Sequence, residues 1–261
     1  MKITLLGCGT SGGVPRLAGE WGACDPDNPK NMRRRVSILV EQGDTRVLVD
    51  TSPDLRMQLI DASVTRLDAV LYTHDHADHT HGIDDLRSIF YAMKRRPVNV
   101  YGDKTTLDAL THKFDYAFVG RGGYPAICTA NVINVERKQK ISIGAEGLEI
   151  TPFYQKHGPV MSVGYLFEMN GKRAAYSTDL NGLPDDSKAL LNGIDLWIVD
   201  ALRYQPHPTH AHLDMSLTWI KDLHVKQAVL THMTWDMDYE TVNAETPEHV
   251  LPGYDGLEII V

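Results

Sequence analysis

The chain has 261 residues, 43% of them hydrophobic and 23% charged, which provides a sizeable core and excludes a disordered or low-complexity protein. Its formal net charge of −8 excludes the broad basic face that extended nucleic acid requires. No uninterrupted apolar run reaches the ~20 residues of a transmembrane helix, so no membrane partner is expected.

The opening "MKITLLGCG" superficially suggests a lipoprotein cleavage site at Cys8. Too few apolar residues precede it for a signal sequence, which needs roughly 7–15. It reads instead as a first strand, 2–7, of a cytoplasmic protein. Cys8, Cys24 and Cys128 show no disulfide or zinc-type spacing and are expected as reduced thiols. Arg33, Arg34 and Arg35 are expected on a solvated edge-strand face. Strands "VSILVEQ" (36–42) and "TRVLVD" (45–50) follow, joined by a Gly-Asp turn, and then a helix over 54–62.

"DAVLYTH" (68–74) is a buried strand. Ile83, Leu86, Ile89, Phe90 and Met93 fall at helical spacing over 83–94, with Lys94, Arg95 and Arg96 closing the helix. The Gly- and Pro-containing loop 119–130 is the candidate lid. "LEITPFYQ", "SVGYLFEM" and "RAAYSTD" are strands, the latter two joined by an Asn-Gly turn. A helix near 185–192, strand "DLWIVDA", a helix over 214–223, strand "QAVLTHM" and a last strand "LEIIV" complete the chain. So many apolar strands suit two sheets back to back with helices outside.

Residues 73–82 read "THDHADHTHG", four histidines and two aspartates in ten residues of a chain with 12 histidines. His74 and His76 lie two apart at a strand mouth, where extended backbone points both to one side. Asp78 and His79 follow where a helix should begin, and there consecutive side chains diverge. One short loop can thus offer ligands to two neighbouring divalent ions, and imidazole with carboxylate suits Zn, Mn or Fe. His157, Asp179 and His232 stand at three further strand ends.

"THDHADH" resembles the HxHxDH motif of the metallo-β-lactamase superfamily. His157, Asp179 and His232 match its third histidine, bridging aspartate and last histidine in order and approximate spacing. The resemblance runs from the first strand to the last and implies a single α/β domain, 1–261, with a four-layer αββα sandwich. It implies that His74, His76 and His157 bind one metal, Asp78, His79 and His232 the other, and that Asp179 bridges them. Asp50 matches the strand-end aspartate that orients ligands from behind.

"LLGCGTSGGVP", "RRRVSILV" and "HAHLD" add a likeness to the phosphodiesterase branch that includes the phosphoribosyl 1,2-cyclic phosphate phosphodiesterases. That likeness implies a dinuclear hydrolase of small cyclic or nucleotide-like phosphodiesters, acting through a metal-bridging hydroxide, with Asp78 among its catalytic residues. Two divalent ions against two aspartates leave the centre positive, which favours an anionic substrate. His212 occupies the place of the family's leaving-group acid, with His210 its rival and Asp214 close by. The family's cysteine-rich structural zinc loop reads here "EWGACDPDNPKN", with Cys24 alone and Trp235 at the closing position, so that zinc is not expected. Thioester or lactone hydrolysis is the alternative reaction. A tRNA 3′-processing nuclease or a non-catalytic metal-binding scaffold stands further off, and a homodimer is left open.

Overall fold

The computed structural model describes all residues, Met1–Val261. The first half of the chain lays down β1 (Lys2–Gly7), β2 (Ser37–Gln42), β3 (Thr45–Val49), β4 (Ala69–Leu71), β5 (Val98–Gly102) and β6 (Cys128–Val132). The second half lays down β7 (Ile141–Ile143), β8 (Leu148–His157), β9 (Val160–Met169), β10 (Lys172–Ser177), β11 (Leu196–Asp200), β12 (Gln227–Thr231) and β13 (Val250–Pro252). The last strand, β14 (Glu258–Ile260), returns to pair with β1. The result is two seven-stranded sheets, in orders β14-β1-β2-β3-β4-β5-β6 and β13-β12-β11-β10-β9-β8-β7.

Strand segments such as "ILV" (38–40) and "VLV" (47–49) are continuous apolar runs because both faces of the sheet are covered. Alternation divides them between layers. Ile38, Val40, Val47 and Val49 join the core that includes the second sheet. Leu39 and Leu48 face the outer layer, against α1 (Leu55–Asp61), α3 (Leu86–Ala92), α4 (Lys104–Lys113) and α5 (Asp115–Phe118). The larger core takes in α6 (Asp185–Leu191), α7 (Leu213–Asp222) and α8 (Tyr239–Glu245) through Leu191, Ile220 and Val242. This is the expected αββα layering.

Pairing fixes where strand ends gather. β3, β4, β5 and β6 are mutually parallel, as are β10, β11, β12 and β13, while β8 shares the direction of β10 through antiparallel β9. Asp50, the 73–82 cluster, His157, Asp179, Asp200 and His232 therefore all emerge at carboxyl ends of like-running strands, the edge where such sheets place their ligands.

Two expectations are corrected. Arg33 is 2% exposed rather than solvated, because β2 is an interior strand and its approach is roofed by residues 234–237. The 119–130 segment leads into the start of β6, where Ile127 accepts from the Val98 amide. It therefore lies at the opposite end of the strands from the histidine cluster and cannot cover it. No helix is long and apolar enough to cross a membrane.

Candidate metal centre

β4 ends at Leu71, and α2 (Ala77–Thr80) starts six residues on, so 73–82 is a strand-to-helix turn bent tightly over its own side chains. Gly82 ends the cluster because a Cβ there would stand 2.0 Å from the Ser52 carbonyl oxygen. Asp50, Asp179 and His232 each leave the strand geometry with φ of 62°, 54° and 59°. Left-handed backbone at three non-glycine residues costs free energy and is characteristic of functional sites. Here it turns Asp179 and His232 into one seam and sets Asp50 behind His79.

Asp179 occupies the centre of that seam, and its two oxygens face different partners. Oδ2 lies 3.7 Å from His74 Nε2 and 3.7 Å from His157 Nε2. Oδ1 lies 3.2 Å from His79 Nε2 and 3.3 Å from His232 Nε2. Asp78 Oδ2 completes the second side, 3.5 Å from His79 Nε2 and 3.7 Å from His232 Nε2. His76, the most exposed of these residues, joins the first side with His74, His157 and Asp179. The structure thus gathers all seven residues singled out in the sequence.

Behind the ligand atoms, hydrogen bonds fix the imidazoles. Asp50 Oδ2 accepts from His79 Nδ1 at 2.7 Å and from the Thr73 hydroxyl at 2.8 Å. With that hydroxyl proton committed to Asp50, Thr73 Oγ1 accepts from His74 Nδ1 at 3.0 Å. The Thr209 carbonyl, which can only accept, takes His157 Nδ1–H at 2.8 Å. In each ring Nε2 is left facing the seam, the arrangement that metal-binding histidines use.

The seam gathers polar atoms that find no partner within the protein. His74 Nε2, His79 Nε2 and both nitrogens of His232 are buried without a hydrogen-bond partner, and each such group costs about 1–3 kcal/mol. Burial pushes the Asp179 carboxyl up, but His232 and His79 outweigh it and hold it well below the carboxylate range. Burial pushes His232 down, yet Asp179 and Asp78 carry it up to about 9. Burial, together with neighbouring His79, holds His74 well below its usual value. Unpaired buried nitrogens beside anionic carboxylates fit divalent cations.

The beta-lactamase superfamily domain model matches residues 45–233, which contain every one of these side chains. The chain belongs to the metallo-β-lactamase superfamily, a superfamily of metal-dependent hydrolases. It is 33% identical to a crystal structure of a new diphosphatase from the PhnP family, with a TM-score of 0.89 over 100% of this chain and 97% of that one. It is also 31% identical over 265 residues to an octanoyltransferase of Porphyromonas gingivalis. That match takes in all of this chain but 52% of the relative, so the chain spans about half its length. Zinc-bound PqqB from Methylobacterium extorquens shares the fold at 20% identity, with a TM-score of 0.80 over the whole of both chains.

Within this metallo-β-lactamase site, the structure separates the two candidate acids. His210, not His212, stands against the cluster. Its ring stacks on His232 at 4.8 Å between centroids, lies 4.8 Å from His157, and puts Nε2 3.8 Å from Asp179 Oδ2. His212 is the residue that opens α7, with no capping bond and with Nδ1 unpartnered, and it joins none of the clustered His and Asp groups. Asp214 is exposed in the first turn of α7 and His81 is exposed against Phe114.

Asp200 is the residue that sequence reasoning missed. Fully buried at the end of β11, it accepts from His210 Nδ1 at 3.0 Å and has Oδ1 3.8 Å from His232 Nδ1. The signal was present, since "LWIVD" ends in a strand-terminal aspartate just as "VLVD" does. Where the family's zinc loop would close, Arg33 Nη1 meets Cys24 Sγ at 3.7 Å and Trp235 lies under Arg16 at 3.6 Å.

Proposed function

We propose that the protein is a dinuclear metal-dependent hydrolase of small phosphoric esters, with a phosphodiester as the first substrate class. The observation that carries this reading is the division of Asp179: one oxygen serves His74 and His157, the other His79 and His232. His74, His76 and His157 would hold one ion, Asp78, His79 and His232 the other, and Asp179 both. Manganese, zinc and iron all suit this donor set. Bound there, divalent ions supply Lewis acidity toward a phosphoryl oxygen and a water acidified to react near neutral pH.

The protein's own residues do the rest. Two carboxylates set against two divalent ions leave the seam cationic, which selects an anionic phosphoryl group over a neutral amide. Asp50 and the Thr209 carbonyl orient His79 and His157. Asp200 holds His210 Nδ1–H, so that a protonated His210 presents Nε2–H to the seam and can pass that proton to a departing oxygen. General acid catalysis of this kind is worth about 10²–10⁴ in rate.

The whole-length likeness to a diphosphatase supports phosphoryl chemistry and extends the substrate class to a phosphoanhydride. An assay panel of bis-p-nitrophenyl phosphate, cyclic nucleotides, a nucleoside diphosphate, a thioester and a lactone tests the reading. Turnover is expected with the phosphates under manganese or zinc. Turnover of the thioester or lactone alone replaces the reaction class.

A further inference from the structure

The loop between β11 and α7 carries another histidine that the proposed reaction does not use. His207 lies between Pro206 and Pro208, half-buried, with its ring centroid 5.1 Å from that of His210. The Thr209 amide, which can only donate, reaches His207 Nδ1 at 3.3 Å, and the Thr209 hydroxyl lies 3.2 Å from the same nitrogen. Nδ1 therefore holds the lone pair, and in the neutral ring the proton sits on Nε2. That Nε2–H makes no hydrogen bond within the protein.

The loop that presents this donor is held by three side-chain hydrogen bonds to its backbone. Arg203 donates from Nε to the Gln205 carbonyl at 3.1 Å and from Nη2 to the Pro206 carbonyl at 2.8 Å. Asn181 Nδ2 donates to the Pro208 carbonyl at 2.6 Å. Thr209 links the two environments: its carbonyl orients His157 in the metal centre while its amide orients His207 outside it. A solvent-facing imidazole with a fixed tautomer, on a clamped loop, one ring beyond the proposed acid, is preorganised to bind.

We propose that His207 is a substrate-binding residue whose Nε2–H donates to an acceptor oxygen on the leaving group, beside the oxygen that His210 protonates. This rests on the phosphohydrolase reading above. Two leaving groups share the required chemistry, a ribose with a free hydroxyl and a second phosphoryl group.

The test compares wild type, His207→Ala and His207→Gln on three probes. In 3′,5′-cyclic AMP a hydroxyl neighbours the leaving oxygen, in ADP the leaving group is a phosphate, and in bis-p-nitrophenyl phosphate no acceptor adjoins the leaving oxygen. His207→Ala should raise KM about tenfold on the better of the first two probes, the value of one hydrogen bond. It should leave kcat within about threefold and bis-p-nitrophenyl phosphate unaffected. His207→Gln, which keeps a donor at similar reach, should recover most of the loss. The nucleotide arm that responds identifies the leaving group.

Unchanged KM on the nucleotides, equal losses on all three probes, a fall confined to kcat, or wild-type activity on bis-p-nitrophenyl phosphate alone would each overturn the proposal while leaving the hydrolase reading intact. A wild type inactive on all three probes would remove the hydrolase reading and His207's role with it.

Discussion

His210 and His212 stand two residues apart, and the cost of losing each should differ by orders of magnitude. His210 faces the seam, so His210→Ala should lower kcat roughly 10²–10⁴-fold on an alkoxide leaving group. It should cost far less on p-nitrophenolate, which departs without a proton. His212→Ala should leave both rates within a few-fold. Steady-state assays of the two variants on both substrates decide the assignment, and equal effects on them would return His212 to contention. Asp200→Asn should follow His210→Ala in direction, because the amide can no longer stabilise the protonated ring. The sequence placed the acid at His212 within "HAHLD", whereas the structure sets His210 against the seam. That choice depends on where the chain enters α7, and it is made by tertiary hydrogen bonds, Leu202 N–H to the Ala211 carbonyl and Leu213 N–H to that of Arg203. The seven clustered side chains were legible for the opposite reason: His157, Asp179 and His232 end or closely follow apolar strands, His74, His76, Asp78 and His79 share one short motif, and both signals are local.

At the level of elements, the loop after β1 is tied to the loop after β12 by one buried guanidinium. Arg33 donates to the Thr234 carbonyl at 3.2 Å, the Met237 carbonyl at 2.7 Å and Asn31 Oδ1 at 3.3 Å. Arg33→Ala strands two buried carbonyls and leaves a cavity, so it should destabilise by about 2–4 kcal/mol, measurable by urea unfolding. An Arg-rich run looks solvated in sequence, and nothing local reveals that one of its members points inward.

Asp255 contributes at the same level, accepting from the Arg34 and Cys8 amides at 2.8 and 3.2 Å. Burial pushes its carboxyl up to about 7, against those hydrogen bonds. The folded value lies above the unfolded value of about 3.9, so the folded state retains a proton that the unfolded state has lost. The stabilisation is full below about pH 3.9 and is lost as pH rises through about 7. Urea midpoints between pH 5 and 8 should fall more steeply for wild type than for Asp255→Asn. Parallel profiles would refute the assignment. Short β5, β6, β7 and β13, and helices α4, α5 and α8, went unread in the sequence. β6, "CTANV", is an edge strand of mixed polarity, and β7 and β13 are three residues each, too short for any period.

Across the whole molecule, the two-sheet architecture was legible because doubly covered strands write themselves as unbroken apolar runs. The lid assignment failed because it needed the strand order: only the pairing of β5 with β6 shows that residues 119–127 lie at the wrong edge. Both sheets contribute to one seam of unpaired imidazole nitrogens, so metal should bind the folded state alone and raise Tm in proportion to the logarithm of its concentration. Chelation should lower it. The central claim is that Asp179 joins two metal sites, and metal content reports on it directly. Elemental analysis of manganese- or zinc-loaded protein should approach two ions per chain for wild type and fall below one for Asp179→Ala. A single tightly held ion per chain, unchanged by that substitution, would contradict the account.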